Sequence, residues 1–318
     1  MNSPTLLSGA VRQAATIDAV KSQLAPLLPL VKPSTTELMI NPDGSVFVER
    51  AGKIRKTPLQ IESERLLGLI GLLAGLNHQV CNAQKPYLEL RVPEFFNARL
   101  SALIPPLVDA PSLTFRFPSR KRLSLSELVE RGTLTEAQEI ELSLAVASRR
   151  NIIVSGHTGS GKTTIANALL DLVDEDRVVV IEDTPEIHCG SKNTVSITTG
   201  DPASFTTREA VIRAMRMRPD RVVVGEVRDG EAALELLKAI LTHPGTVSTI
   251  HADSAAEVRL RLYSLLQEVL PGTPTYDLID RTVHLVVHVD RVTEGGRSFR
   301  KVTEVIQYNH TAITRSQS

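Results

Sequence analysis

NIIVSGHTGSGKTTIANALLDLV, Asn151 to Val173, reads as a strand, a glycine loop and a helix in immediate succession. Ile152-Ile153-Val154 has the brevity and β-branched content of a buried strand. Gly156-His157-Thr158-Gly159-Ser160-Gly161-Lys162-Thr163 then matches G-x-x-x-x-G-K-[ST] at every fixed position. Ile165, Ala168, Leu169 and Leu172 follow at spacings of three and four, one face of a helix. This is the context that a phosphate-binding loop requires. Glycines let successive backbone N–H groups curl around phosphate oxygens, and the helix N-terminus adds partial positive charge. Lys162 supplies a mobile full charge, and the Thr163 hydroxyl is placed to coordinate Mg²⁺.

At 318 residues the chain is long enough for two domains of ordinary size. Lys plus Arg total 36 and Asp plus Glu total 36, so no net field draws the chain to DNA or to an anionic membrane. Cys81 and Cys189 stand alone, which argues against a disulfide framework or a cysteine zinc site. The beginning, MNSPTLLSGAV, lacks a basic signal-peptide region, and the apolar run Leu66 to Leu76 is about half the ~20 residues of a membrane span. A cytoplasmic protein is expected, with any membrane contact peripheral and made through partners.

The first 118 residues predict a small α/β or α+β domain. A helix is expected over 11–24, and ELMINPDGSVFVERAGK reads as a hairpin around Asn41-Pro42-Asp43-Gly44. A long apolar helix is expected over 59–76, with short strands at 87–91, 99–104 and 112–117. Prolines 105, 106, 111 and 118 and the basic run Arg120-Lys121-Arg122 mark a linker at 119–123. Residues 124–318 then form the second domain. Ser124-x-x-Glu127 and Thr135-x-x-Gln138 are capping boxes that open helices. Short Val/Ile-rich strands at 152–155, 178–181, 194–198, 221–224 and 246–250 alternate with helices, the pattern of a largely parallel sheet buried on both faces. HLVVHVD and FRKVTEVIQYN flank Glu294-Gly295-Gly296 as a closing hairpin.

In open α/β sheets, ligands sit beyond the carboxyl ends of the strands. Glu182 and Asp183 follow one apolar strand, Gly225 and Glu226 a second, and His251 a third. Carboxylate, carboxylate and imidazole beside a triphosphate loop can supply the base, orienter and Mg²⁺ partners that phosphoryl hydrolysis needs. Gly225 stands where P-loop proteins usually place an aspartate after the second acidic strand. Glu226 is therefore the expected general base. Thr163 is the Mg²⁺ ligand from the loop, with Glu182 or Asp183 helping directly or through water. Arg208, Arg213, Arg216, Arg218, Arg221 and Arg228 crowd around the Val222 strand. Such a cluster, with Arg216 and Arg228 as candidates for stabilising transition-state charge, points to a site shared between subunits. His243, His284 and His288 do not make a metal site, because His284 and His288 lie about 13 Å apart on a strand at ~3.3 Å per residue.

Together, GHTGSGKTT (156–164), VVVIEDTPEI (178–187), RMRPDRVVVGEVRDGEA (216–232) and STIHADS (248–254) resemble the Walker A, Asp box, atypical Walker B and His box of the secretion ATPases. Those are the ring-forming traffic ATPases of type II and type IV secretion and of type IV pili. The Gly-Glu form of the Walker B stretch is usual in that family. The short N-terminal region and its hairpin are most similar to the conjugative and type IV branch, the TrbB-type conjugal-transfer ATPases. The resemblance is specific over about 120–290 and looser before it.

It implies a RecA-like P-loop domain preceded by a smaller N-terminal domain, with ATP and Mg²⁺ as cofactors. It also implies a homohexamer at the cytoplasmic face of the inner membrane, working with other secretion or conjugation proteins and without direct sequence-specific nucleic-acid binding. By the same resemblance, 156–164 bind nucleotide, with Lys162 and Thr163 holding phosphate and Mg²⁺. Glu226 polarises water, Glu182 and His251 sense or order the γ-phosphate, and Arg99 or Arg116 is the candidate N-terminal arginine. The alternatives are a type II secretion or type IV pilus assembly or retraction ATPase, and a RecA-type nucleic-acid motor. Zero net charge and only 3% aromatic residues give little for a single-strand stacking track.

Overall fold

A computed structural model of the chain describes residues 4–50, 52–118, 122–199, 205–294 and 297–308. By its internal contacts the chain divides into two compact units, Met1–Arg120 and Lys121–Ser318. No helix among the described residues is long and apolar enough to cross a membrane.

The first unit holds helices α1 (Pro4–Leu24) and α2 (Ser63–Leu76) and strands β1 (Thr35–Ile40), β2 (Ser45–Arg50), β3 (Lys53–Gln60), β4 (Tyr87–Val92), β5 (Ala98–Leu103) and β6 (Ser112–Arg116). They form a six-stranded sheet in the order β3-β2-β1-β6-β5-β4 with antiparallel neighbours throughout. Alternate residues such as Leu38, Ile40, Leu88, Leu100 and Phe115 join Leu66, Leu69, Ile70 and Leu73 of α2 in one core. The opposite face carries Glu37, Arg99 and Arg116, which are cross-strand neighbours.

This unit is thus α+β. It also contains a strand that the sequence does not announce. The apolar helix expected from residue 59 starts at Ser63, because 53–60 pair with β2 instead. Exposed Lys53, Arg55 and Lys56 hide that strand from a periodicity reading, and Pro58 is tolerated because β3 lies at the sheet edge. Helix α1 likewise begins earlier than residue 11.

In the second unit, helices α3 (Leu125–Glu130) and α4 (Glu136–Ala147) open with the two expected capping boxes, both with reciprocal bonds formed. The rest runs β7 (Ile152–Ser155), α5 (Lys162–Leu170), β8 (Val178–Glu182), β9 (Thr194–Thr198), α6 (Thr207–Ala214), β10 (Arg221–Val224), β11 (Glu226–Val227), α7 (Gly230–Ile240), β12 (Val247–Ile250), α8 (Val258–Val269), α9 (Tyr276–Thr282), β13 (Leu285–Glu294) and β14 (Arg297–Gln307). Helix α6 has a third capping box, Thr206 with Glu209, which the same pattern search could have found. The turn expected at Gly295-Gly296 and most of the expected linker lie outside the described residues.

The strands form a parallel trio, β10-β8-β9, and a five-stranded sheet, β11-β12-β7-β13-β14, in which only β14 is antiparallel to its neighbour. Successive residues alternate between two cores. Ile152, Val154, Val178, Val180, Val223 and Val287 pack with α3, α4 and α5 on one face. Ile153, Val179, Ile181, Val222, Val224 and Val286 pack with α6, α7, α8 and α9 on the other. Burial on both faces explains the unbroken valine runs.

The chain crosses from one sheet to the other at Gly225, between β10 and β11. Side chains of β12 bridge that seam: Ser248 Oγ accepts from Val224 N at 3.3 Å, and Thr249 Oγ1 donates to Gly225 O at 2.7 Å. Since β7, β8, β10 and β12 run parallel within their sheets, the residues after each belong to its carboxyl end. The site residues come from these ends.

Candidate functional site

The glycine loop joins β7 to α5, and its three glycines all have positive φ, a conformation that side chains rarely adopt. Gly156 has φ of +147°, and a Cβ there would lie 2.1 Å from Val289 O. Gly161, at φ of +108°, is the N-cap of α5, and no side chain caps that helix. The first-turn amides, with Thr163 and Thr164 half-buried beside them, are left for a ligand. His157, Thr158 and Gly159 are exposed along the loop. Ser160 Oγ is buried with no hydrogen-bond partner among the described residues, an orphan of the kind that a ligand oxygen or water satisfies. Lys162 is only 8% exposed. Its Nζ donates to Gly156 O at 3.0 Å and His157 O at 3.1 Å, and lies 3.2 Å from His251 Nδ1. These features fit a polyphosphate.

Glu182 closes β8 and is 7% exposed. Its Oε1 accepts from Glu186 N at 2.9 Å and Ile187 N at 2.8 Å, shaping the following loop. Its stem lies against Gly225, where an added Cβ would come within 2.8 Å of Glu182 Cγ. The glycine in the usual aspartate position is therefore a steric requirement of Glu182. Burial pushes the Glu182 carboxyl up from 4.5 to about 7, outweighing the two backbone donors. The folded chain then binds this proton more tightly than the unfolded chain does. The contribution of Glu182 to stability is complete below about pH 4.5 and declines as pH rises toward 7, by about 3 kcal/mol in all. Glu182→Gln keeps the acceptor and removes the titration. Its melting temperature relative to the parent is expected to rise between pH 5 and pH 8, and parallel melting curves over that range would refute the titration.

Glu226, the first residue of β11, stands between a guanidinium and an imidazole. Arg228 Nε and Nη2 reach Glu226 Oε2 at 3.0 and 2.6 Å, and Arg228 Nη1 pairs with Asp183. On the other side, His251 Nε2 approaches Glu226 Oε1 at 2.6 Å, close without forming an aligned hydrogen bond. Burial and then the Lys162 ammonium hold His251 below its ordinary pKa. A neutral imidazole accepting at Nδ1 from Lys162 presents its Nε2 proton to Glu226. Lys162, His251, Glu226, Arg228 and Asp183 thus form one chain of contacts from the loop to the end of β8.

Not every expected residue joins it. Arg216 is exposed between α6 and β10, before the amino end of β10 and so at the opposite edge of the sheet from the loop. Arg221 is structural: it is 4% exposed and bonds Asp176, Gly245 O and Val146 O. Arg208 lies 3.8 Å from Glu235, and Arg213 lies over the Phe205 ring. Of the arginine cluster, Arg228 is the member that contacts Glu226 and Asp183 among the described residues, and a count of arginines along the sequence could not tell it from Arg221. Asp183, expected as a metal partner, is paired with Arg228 and would ligate an ion only after Arg228 turns away. Among the described residues no group of three or more His, Cys, Asp or Glu could hold a metal. His284 and His288 have separate hydrogen-bonding tasks, accepting from Asn151 N and pairing with Ser155 Oγ.

Residues 20–295 match the family described as Type II/IV secretion system protein. The chain belongs to that family. Among its relatives, the probable conjugal transfer protein TrbB of Sinorhizobium fredii is 38% identical, over 89% of this chain and 86% of that protein. Protein VirB11 of Agrobacterium fabrum is 31% identical, over 82% of this chain and 84% of its own. The X-ray structure of the Legionella pneumophila ATPase DotB shares the fold, with a TM-score of 0.62 at 21% identity over 87% of this chain and 78% of that one. The secretion-family fold, with a RecA-like unit after a smaller α+β unit, agrees with the sequence reading.

Proposed function

We propose that this chain is an ATPase whose turnover powers conjugative DNA transfer or type IV secretion and pilus biogenesis. It acts as a homohexamer at the cytoplasmic face of the inner membrane, alongside other proteins of that machinery. Residues 1–118 form its N-terminal domain, 119–123 the linker and 124–318 the ATPase domain. The observation that carries the reading is the contact chain from Lys162 through His251 to Glu226, set at strand ends beside a glycine loop. The similarity to conjugal transfer and VirB11 proteins supports the process it serves.

Bound ATP supplies the γ-phosphoryl group, and Mg²⁺ neutralises charge as it develops. Lys162 leaves the carbonyls of Gly156 and His157 to take phosphate, with the amides of 159–164 around it. Thr163 offers its hydroxyl to Mg²⁺. Glu226 orients water and accepts its proton. It can do so only when Arg228 releases Oε2, which leaves the Arg228 guanidinium available for phosphate. Glu182 and His251 order the groups around the γ-phosphate. Arg216, on the far edge of the sheet, can serve only a neighbouring subunit's site.

The deciding experiment is ATP hydrolysis against protein concentration with mass followed by light scattering. Specific activity is expected to rise as a hexamer-sized species appears. A monomer turning over at constant specific rate would end the ring reading and leave the loop reading standing.

A further inference from the structure

The β13–β14 hairpin meets the phosphate loop at two points. Val289 O fills the space beside Gly156. Arg300 Nε, from β14, donates to Gly159 O at 3.1 Å. The Arg300 stem also occupies the space over Gly161, where a Cβ would lie 2.9 Å from its Cδ. Strand β13 pairs with β7 as far as His288 with Ser155, the residue just before the loop, so the contact is carried on the same sheet that launches the loop. Arg300 stands directly opposite Arg291 in the ladder, an unfavourable like-charge pairing. It also lies beyond the residues 20–295 that match the family.

We propose that Arg300 is a positioning residue for nucleotide binding, its Nε–H bond to Gly159 holding the glycine segment of the loop in the curled form that receives phosphate. The inference rests on the nucleotide-site reading above. A glycine-rich segment loses much conformational freedom when ordered, and a donor fixed on a strand makes part of that loss before the ligand arrives. Position matters as well as charge. Lysine carries its donor one bond further from the backbone than Nε and lacks the planar fork.

The test compares wild type, Arg300→Ala and Arg300→Lys by calorimetric titration with ATP and ADP, by KM and kcat for ATP, and by melting without nucleotide. Both variants are expected to bind ATP and ADP about five- to tenfold more weakly, the scale of one lost hydrogen bond. KM should rise by a similar factor, kcat should change less than twofold, and the nucleotide-free melting temperature should hold. Unchanged affinity in Arg300→Ala overturns the inference. Full recovery in Arg300→Lys also overturns it, since charge alone would then be enough. Absence of nucleotide binding by wild type would instead overturn the site reading on which the inference rests.

Discussion

Glu226→Gln is expected to lower ATP turnover at least a hundredfold while leaving ATP affinity within about twofold of wild type. The amide has the shape of the carboxylate, so its oxygen can still accept from Arg228, which now reaches Oε2 at 2.6 Å. It cannot accept a proton from water, and general-base removal typically costs ~10² to 10⁴ in rate. Binding is spared because the amide keeps the size and shape of the carboxylate, and Lys162 reaches Glu226 by way of His251. Single-turnover hydrolysis and equilibrium binding separate the two quantities. A variant that hydrolyses ATP near the wild-type rate would show that another group, Glu182 first among them, activates the water.

Lys162→Ala should abolish the rise in melting temperature that ATP produces. A ligand at a hundredfold excess over its Kd stabilises a folded protein by about 2.7 kcal/mol. A charge-assisted hydrogen bond contributes about 1.5–3 kcal/mol, enough to weaken binding ~10- to 150-fold and so remove from about half to nearly all of that shift at the same ATP concentration. Without nucleotide the substitution releases the carbonyls of Gly156 and His157 and takes away the ammonium that, after burial, holds His251 below its ordinary pKa. The imidazole is therefore expected to titrate at higher pH in this variant, as followed by the NMR shift of its ring protons. An unchanged ATP-induced melting shift would count against the loop as the nucleotide site.

The two arginines of the RVVVGEVR stretch illustrate why composition and proximity in sequence mislead. Arg221 opens β10 and Arg228 follows the two-residue β11, yet Arg221 is buried at the amino end of β10, satisfying main-chain carbonyls, and Arg228 reaches the carboxyl-end cluster. A strand of four residues is enough to place its two flanks on opposite edges of the sheet. Arg216, on the Arg221 side, is likewise removed from the loop of its own chain. Strand direction, available in the sequence once the βαβ alternation is read, already sorts these residues.

What the sequence determined by itself is local. The phosphate loop, both capping boxes and the doubly buried valine strands depend on neighbours within a few residues, so spacing and residue type suffice to specify them. Strand polarity then placed Glu182, Glu226 and His251 at one end of the sheet. Only the tertiary structure decided the rest. β3 became a strand through pairing with β2 against its own charged composition. Gly225 owes its identity to the Glu182 stem lying over it, from a strand in the same trio as β10. Arg300 meets Gly159 across 141 residues of chain, a contact for which no local pattern exists. The physical reason is the same in each case: bonds between segments distant in sequence form only after strand order brings them together, and that order is set by burial of whole faces, not by any one stretch.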